Sequence, residues 1–398
     1  MLYNRQNLIT STISYGRLWF YLSFFCIFVS PTLLGADKDV IEQTKLDSSP
    51  FVDARANALG LAISPIANGL SAPYYNPAAI GGLHYKPSRP ALIGLRVPFF
   101  GVSANDESAR LRTALSRSQD ISEPELSNEV LKAYVGKRQY ARLSVLPNAT
   151  IKRFFIAYTY DIQVAAVKAS SQEQAITTSL LEQQGPYLGF SFSSPNRNFY
   201  LGFAASYLSR GTVEGDFTTS QLEMPSERKA AFNAASRNYY GTAIHAGIIW
   251  HITQAWRPTL AIVAHDLGGT RYNSTSSANP DITEPEDLTV GFSLSPNTGS
   301  LGYLNYVIEA AELKDTDMAI NKKLRSSLEW TIGNRFGYDA GFSLRLGYNS
   351  AGISYGAGMN AGIVHLSVSS FAEDVGKANY RVIERRQVAN FAINVADF

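Results

Sequence analysis

The chain has 398 residues, with 35 Lys and Arg against 33 Asp and Glu and a formal net charge of +2. Its 17% charged residues fall below the roughly 25% of ordinary soluble domains, while aromatics reach 12%, Gly numbers 30 and Cys one. The near-neutral balance excludes a nucleic-acid binder built on a basic stripe, and a single Cys excludes a disulfide scaffold or a Cys-based metal site.

The first 36 residues read as an export signal. Arg5 and Arg17 flank a polar start, Leu18 to Val29 is an apolar run, Ser30-Pro31 breaks it, and Ala36 precedes Asp37-Lys38-Asp39. A basic start, a short apolar stretch and a small residue before a polar segment make a secretory signal peptide. The alternative is an N-terminal anchor, for which the run is shorter than the ~20 residues a spanning helix needs. Cleavage before Asp37 would remove Cys26. No later segment reaches the ~18 apolar residues of a membrane helix.

Residues 37–90 carry an Ala-rich helical pattern with many turn formers and do not alternate. From residue 91 onward the pattern has period two. Phe154, Ile156, Tyr158, Tyr160, Ile162 and Val164 alternate with Phe155, Ala157, Thr159, Asp161 and Gln163. Leu288 to Leu294 and Phe342 to Tyr348 repeat the rhythm. The second face is rich in Gly, Ser, Ala and Thr rather than the Lys and Glu of a soluble exterior, which suits lipid on one side and a polar lumen on the other.

Fourteen candidate strands follow: 91–103, 140–147, 150–168, 184–194, 198–212, 236–251, 257–270, 286–296, 300–313, 322–333, 340–348, 351–359, 361–371 and 384–398. Short links at Pro147-Asn148, 195–197, 252–256, 296–299, 334–339 and Asn360 alternate with mostly longer ones. Short turns at one end and long loops at the other, with an even strand count, are the asymmetry of an outer-membrane barrel. In the first long link, 104–139, Ser122-Glu123-Pro124-Glu125 has capping-box spacing before Leu126, Val130, Leu131 and Tyr134, which predicts a helical external loop. A cap on the barrel mouth and a ligand gate are both open readings of it. The expected class is all-β: a transmembrane antiparallel barrel of about 14 strands over 91–398, behind a signal at 1–36 and a separate segment at 37–90.

On the inward phase, Arg325 and Glu329 share a face, and a hairpin centred on Gly337 sets Glu329 opposite Arg345. Arg153 and Asp161 are expected to supply lumenal charge on the third strand. Four histidines, His245, His251, His265 and His365, share that phase, with His265 expected near Ala243 and so a diagonal neighbour of His245. Polar filling accounts for them better than a metal site. Trp250, Trp256, Trp330, Tyr239 and Tyr240 fall near strand ends, as girdle aromatics do. No catalytic motif, metal site or cofactor-binding motif is evident.

Phe51-Val52-Asp53-Ala54-Arg55-Ala56-Asn57-Ala58-Leu59-Gly60 and then Ser71-Ala72-Pro73-Tyr74-Tyr75-Asn76-Pro77-Ala78-Ala79 resemble the N-terminal signature of the long-chain fatty-acid transporter (FadL/OmpP1/PorV-like) superfamily of outer-membrane barrels. Leu344-Arg345-Leu346-Gly347-Tyr348-Asn349-Ser350 is similar to its closing strands. The sequence departs from the pattern at Gly60-Leu61 and at Ala79, where relatives often carry Gly. The resemblance implies a plug at 37–90 inside the barrel, with Tyr74, Tyr75, Asn76 and Pro77 as its gating turn. A physical reason agrees: about eight strands suffice for a side-chain-filled interior, so fourteen leave a lumen to occupy. A periplasmic leader is the alternative. The resemblance also implies passive uptake or binding of hydrophobic small molecules, an outer-membrane location in a Gram-negative-type bacterium, lipid as solvent, and barrel-assembly machinery that reads a strand ending at Phe398. The other functional class is a non-transporting scaffold for secretion or conjugation machinery, PorV- or TraF-like.

Overall fold

A computed structural model describes residues 46, 49–69, 71–83, 93–108, 138–167, 175–218, 221, 224–296, 302–333, 341–375 and 382–396. The signal peptide expected at 1–36, the helix expected at 122–134 and Phe398 lie outside the described residues.

The strands form one closed antiparallel barrel of fourteen. In chain order they are β1 (Ile93–Asn105), β2 (Gln139–Val145 continued as Asn148–Ile151), β3 (Phe154–Val167), β4 (Ala175–Ser193) and β5 (Phe199–Thr218). Next come β6 (Ser236–His251), β7 (Thr259–His265 continued as Thr270–Ser274), β8 (Ile282–Glu284 continued as Asp287–Leu294), β9 (Tyr303–Ala310) and β10 (Leu324–Gly333). The last are β11 (Gly341–Asn349), β12 (Gly352–Ala361), β13 (Val364–Asp374) and β14 (Ile383–Ala396). Each pairs with its chain neighbour, and β1 closes on β14, with Gly94 opposite Ala396 and Asn105 opposite Arg386. A closed sheet has no edge, the condition for crossing a bilayer with strands. No helix among the described residues is long and apolar enough to cross one.

The alternation maps onto the two faces. Phe154, Ile156 and Tyr158 are 60%, 52% and 46% exposed, while Phe155, Ala157, Thr159 and Asp161 between them are buried. An apolar exterior over a small and polar interior is the pattern of a membrane barrel.

Strand ends differ from the sequence reading where local chemistry intervenes. The turn expected at Pro147-Asn148 is a break within β2. Pro147 has no N–H to give a ladder, yet residues on both sides of it pair with β1 and β3. The chain reverses instead at Lys152-Arg153, where Lys152 takes φ 53°. The links expected at 169–183 and 213–235 are partly strand, because β4 and β5 stay paired from Ala175 opposite Thr218 to Ser193 opposite Tyr200. The rest of the second link contains a helix, α2, over Pro225–Ala235, with Pro at its start. Trp250, Trp256 and Tyr240 are exposed, but Tyr239 is 2% exposed and points inward against Leu208 and Tyr272, so it belongs to the lumen and not to a girdle.

Inside the barrel sits the segment from Ser49 to Leu83. It contains the helix α1 (Ala54–Ala58) and three 3-10 turns: Ser64–Ile66, Ala72–Tyr74 and Pro77–Gly82. Asp53 caps α1 by accepting from the Arg55 N–H at 2.8 Å, and Asn76 caps the third turn by accepting from the Ala78 N–H at 3.0 Å. The fit to the wall is set by inward glycines on seven strands. A Cβ on Gly202 would overlap the Pro77 backbone, on Gly247 the Asn76 side chain, and on Gly347 the backbone of Leu59 and Gly60. A Cβ on Gly101, Gly189, Gly291 or Gly356 would come within 2.8 Å of Val52, Ile80, Ser64 or Ala58. The small residues of the inward face make room for chain rather than for water.

Gly347→Val should therefore drive this segment out of register with the wall. Overpacking costs about 1–3 kcal/mol, on the order of tenfold or more in the population of the displaced segment. Protease cleavage between residues 49 and 83 in the folded barrel should accelerate by about that factor. Gly82→Ala, whose added Cβ meets nothing within 4 Å, should leave cleavage unchanged.

Candidate functional site

The site is the contact between the lumenal segment and the wall. At its centre Glu329 of β10, 3% exposed, accepts four hydrogen bonds. Arg55 of α1 donates from Nε to Oε1 and from Nη2 to Oε2, both at 2.8 Å. Arg345 of β11 donates from Nε to Oε1 at 2.9 Å, and Asn305 of β9 from Nδ2 to Oε2 at 3.2 Å. Arg345 is fixed further by Ser367 Oγ at 2.9 Å. Glu329 stands opposite Arg345 in the ladder. The wall hairpin thus supplies one arginine and the lumenal segment the other.

Further ties spread from this centre. Glu309 of β9 accepts from Ser64 N at 2.9 Å and Ser64 Oγ at 2.6 Å, and Ser327 Oγ donates to Ala62 O at 2.8 Å. Asn390 of β14 accepts from Ala54 N and donates to Val52 O at 3.1 Å. Asp161 of β3 pairs with Arg142 of β2 at 2.7 Å, and Arg142 Nη2 reaches Ser49 O at 2.5 Å.

The Tyr74–Pro77 turn lies on the other half of the wall. Tyr74 is buried between Phe51 and Tyr187, with ring centroids 4.6 and 4.2 Å away, and its hydroxyl is 3.0 Å from Thr159 Oγ1. Tyr187 Oη donates to Pro73 O at 2.9 Å. Tyr75 stands edge-on to Phe51 at 5.7 Å. Asn76, fully buried, donates to Ile248 O at 3.2 Å, and Pro77 opens the turn that follows. Phe99 and Phe155 complete an aromatic cluster that spans β1, β3, β4 and the lumenal segment.

Towards the long loops lies a second ionic group. Arg386, 1% exposed, donates to Glu384 at 2.6 Å and lies 3.6 Å over the Tyr140 ring, and Arg138 reaches the same carboxylate at 2.5 Å. Towards the short turns, by contrast, a cavity of about 660 Å³ separates the lumenal segment from the barrel mouth.

Of the residues expected to carry lumenal charge, Asp161, Glu329 and Arg345 are buried together with partners. Arg325 pairs with Glu312 at 2.9 Å, further towards the long loops. Arg153 is not on the third strand: it is exposed in the turn after β2, because that strand runs past Pro147. His265 and His245 are neighbours, with ring centroids 5.4 Å apart, as expected; the register is shifted by two, since Ala246 pairs with Ala264, which sets His265 level with His245 itself rather than with Ala243. Among the described residues no group of three or more His, Cys, Asp or Glu is placed to hold a metal ion.

Sequence reasoning missed Arg55, Arg142, Glu309 and the Arg386–Glu384 group. The last was readable, since Glu384 and Arg386 are in the phase opposite to Phe391 and Ile393. Arg55 carried a signal as well: a lone cation in an Ala-rich segment placed in a lumen requires a carboxylate.

Glu329→Gln would leave two buried guanidinium groups sharing a neutral amide, a loss of about 3–5 kcal/mol when one partner of a buried pair is removed. Urea unfolding of the detergent-folded barrel should show it. A double-mutant cycle between Arg55 and Glu329 should give a coupling of about 1–3 kcal/mol. Arg325→Gln, at a pair that is partly in solvent, should stay within about 1 kcal/mol.

No family model matches the sequence, and no curated protein matches it. Among solved structures the chain is similar to the deltaS2 mutant of the TodX monoaromatic hydrocarbon channel, at 11% identity and a TM-score of 0.51, over 89% of this chain and 100% of that one. Weaker likenesses are the toluene transporter TbuX of Ralstonia pickettii, at 9% identity and 0.46 over 88% and 100% of the two chains, and the toluene transporter TodX of Pseudomonas putida, at 10% and 0.44 over 87% and 98%. Identity this low carries the fold alone, a closed antiparallel β-barrel.

Proposed function

We propose that this chain is a passive outer-membrane channel for small hydrophobic molecules, closed at rest by its own residues 49–83. The observation that carries the reading is the filled lumen. A barrel too wide to pack its own side chains is occupied by a segment fitted against inward glycines and held by one ionic centre. Passage then requires that segment to move, and the Tyr74–Pro77 turn is the part held by packing and single hydrogen bonds rather than by charge. The aromatic cluster around Tyr74 offers a desolvated surface of the kind an apolar solute needs in a polar lumen. The shared fold with a monoaromatic hydrocarbon channel supports the same cargo class. The export signal at 1–36 and the lipid-facing exterior support an outer-membrane location in a Gram-negative-type bacterium, reached through barrel-assembly machinery.

A second reading, a closed scaffold that holds secretion or conjugation components, is favoured by the two ionic groups set in the lumen, one tying the lumenal segment to the wall and one towards the long loops. Reconstituted liposomes separate the two. Deletion of residues 70–80, or Arg55→Ala, should raise small-solute flux on the order of tenfold, since one lost ionic contact of about 1.4 kcal/mol changes an equilibrium tenfold. Parent-level flux in both variants would rule out the channel and leave the scaffold.

A further inference from the structure

Tyr74 sets a phenol inside the lumen, and its surroundings are shaped to that group. Three rings box it in: Tyr187 at 4.2 Å, Phe51 at 4.6 Å and Phe155, edge-on, at 5.9 Å between centroids. At the far end of the ring its hydroxyl meets Thr159 Oγ1 at 3.0 Å, and Thr159 is 1% exposed. Phe155 and Thr159 belong to β3 and Tyr187 to β4. Phe51 precedes Val52 and Ala54, whose backbones Asn390 fastens to the wall. Of these groups, only Tyr74 lies on the turn that the channel reading requires to give way. When that turn leaves, the rest of the box stays. Two buried hydroxyls then lose their partners: Thr159, and Tyr187, which donates to Pro73 O at 2.9 Å. Unmet buried hydroxyls and an unfilled ring-sized space are both costly.

The solute that removes both costs is one that resembles what left. A plain hydrocarbon ring fills the space but leaves the hydroxyls unmet. An aromatic carboxylate can meet them but brings a full charge into a desolvated box of rings. A phenol supplies the ring and the hydroxyl together, and its ordinary pKa near 10 keeps it uncharged at neutral pH. We propose that Tyr74 occupies the seat of the cargo, and that the solute which takes the seat is a neutral monocyclic phenol. The inference rests on the channel reading and narrows its cargo class. A seat that bonds a hydroxyl discriminates against the analogue lacking it far better than a seat that senses shape alone. Tyr74 and the solute exclude each other, so binding shifts the turn towards its displaced state.

The probes are p-cresol, which is the tyrosine side chain itself, and toluene, which has the same ring and methyl without the hydroxyl. Each is titrated by equilibrium dialysis into the full-length protein in neutral detergent, and proteinase K cleavage within residues 70–83 is followed. Cleavage should accelerate saturably with p-cresol, at a midpoint about tenfold below that of toluene, the size of one hydrogen bond. Thr159→Val keeps the shape of the wall and should erase that difference. Tyr74→Phe weakens the resident group alone and should lower the p-cresol midpoint further. Heat-modifiable migration on a gel verifies that both variants are folded. Equal midpoints for the two probes in the parent, a preference that folded Thr159→Val retains, or no saturable response to p-cresol would overturn the proposal. Cleavage needs no transport, so the two readings fail separately. Raised flux on deleting residues 70–80 with equal midpoints keeps the channel and removes the phenol. A p-cresol preference with parent-level flux keeps the phenol site and removes the channel.

Discussion

The structure depends on one carboxylate. Glu329 is buried, and the two arginines that satisfy it come from parts of the chain with no other reason to meet. Arg345 is its ladder partner and belongs to the wall however the lumen is filled. Arg55 belongs to the lumenal segment, 274 residues away in sequence. A carboxylate facing one arginine would be a wall pair. Facing two, it leaves a positive charge unsatisfied whenever the segment is elsewhere or the glutamate is neutral. Buried ion pairs of this kind add little net stability compared with apolar packing, but they penalise every arrangement that separates them. Their contribution is to position, and here the position is that of α1 against β10 and β11.

Steric fit supplies what charge does not. The ionic centre names a place on the wall but leaves the segment free to tilt. The inward glycines of seven strands remove that freedom, because each admits the lumenal segment where a larger residue would not. This gives a physical reason for an inward face of Gly, Ser, Ala and Thr. A water-filled lumen would tolerate long polar side chains, whereas a filled one must keep its wall thin. Low overall charge has the same root: half of each strand faces lipid, and much of the other half faces chain.

How much of this was legible in the sequence follows from the range of each interaction. Period-two alternation is local, so the barrel, the strand count and the Glu329–Arg345 pairing could be read from residues close together in the chain. The errors were local too. Pro147 read as a turn because it cannot donate, yet a strand tolerates it at a break, and the shift carried Arg153 out of the lumen into an exposed turn. Tyr239 read as a girdle aromatic because it sits beside exposed Tyr240, although adjacent strand residues point to opposite faces. The Arg55–Glu329 contact was beyond reach in another sense. Each residue is conspicuous in the sequence, one in a motif and one on an inward face, but no periodicity links a helix in a lumen to a strand in the wall.

The ties are divided unevenly around the barrel, and that division bears on what the closed state can do. Residues 51–66 are held by hydrogen bonds and charge to β9, β10, β11 and β14, through Glu309, Glu329, Ser327 and Asn390. Residues 72–80 are held to β3, β4 and β6 by aromatic packing and single hydrogen bonds, such as those of Thr159, Ser191 and the Ile248 carbonyl. Charge in a desolvated setting is steeply position-dependent, while aromatic contacts tolerate sliding at a cost of about a kcal/mol each. One half of the lumenal segment is therefore pinned and the other half fitted. A lumen closed in this way has a built-in asymmetry: the part that could yield to an apolar solute packs against the aromatic cluster, and the part that cannot yield is tied to the wall by charge.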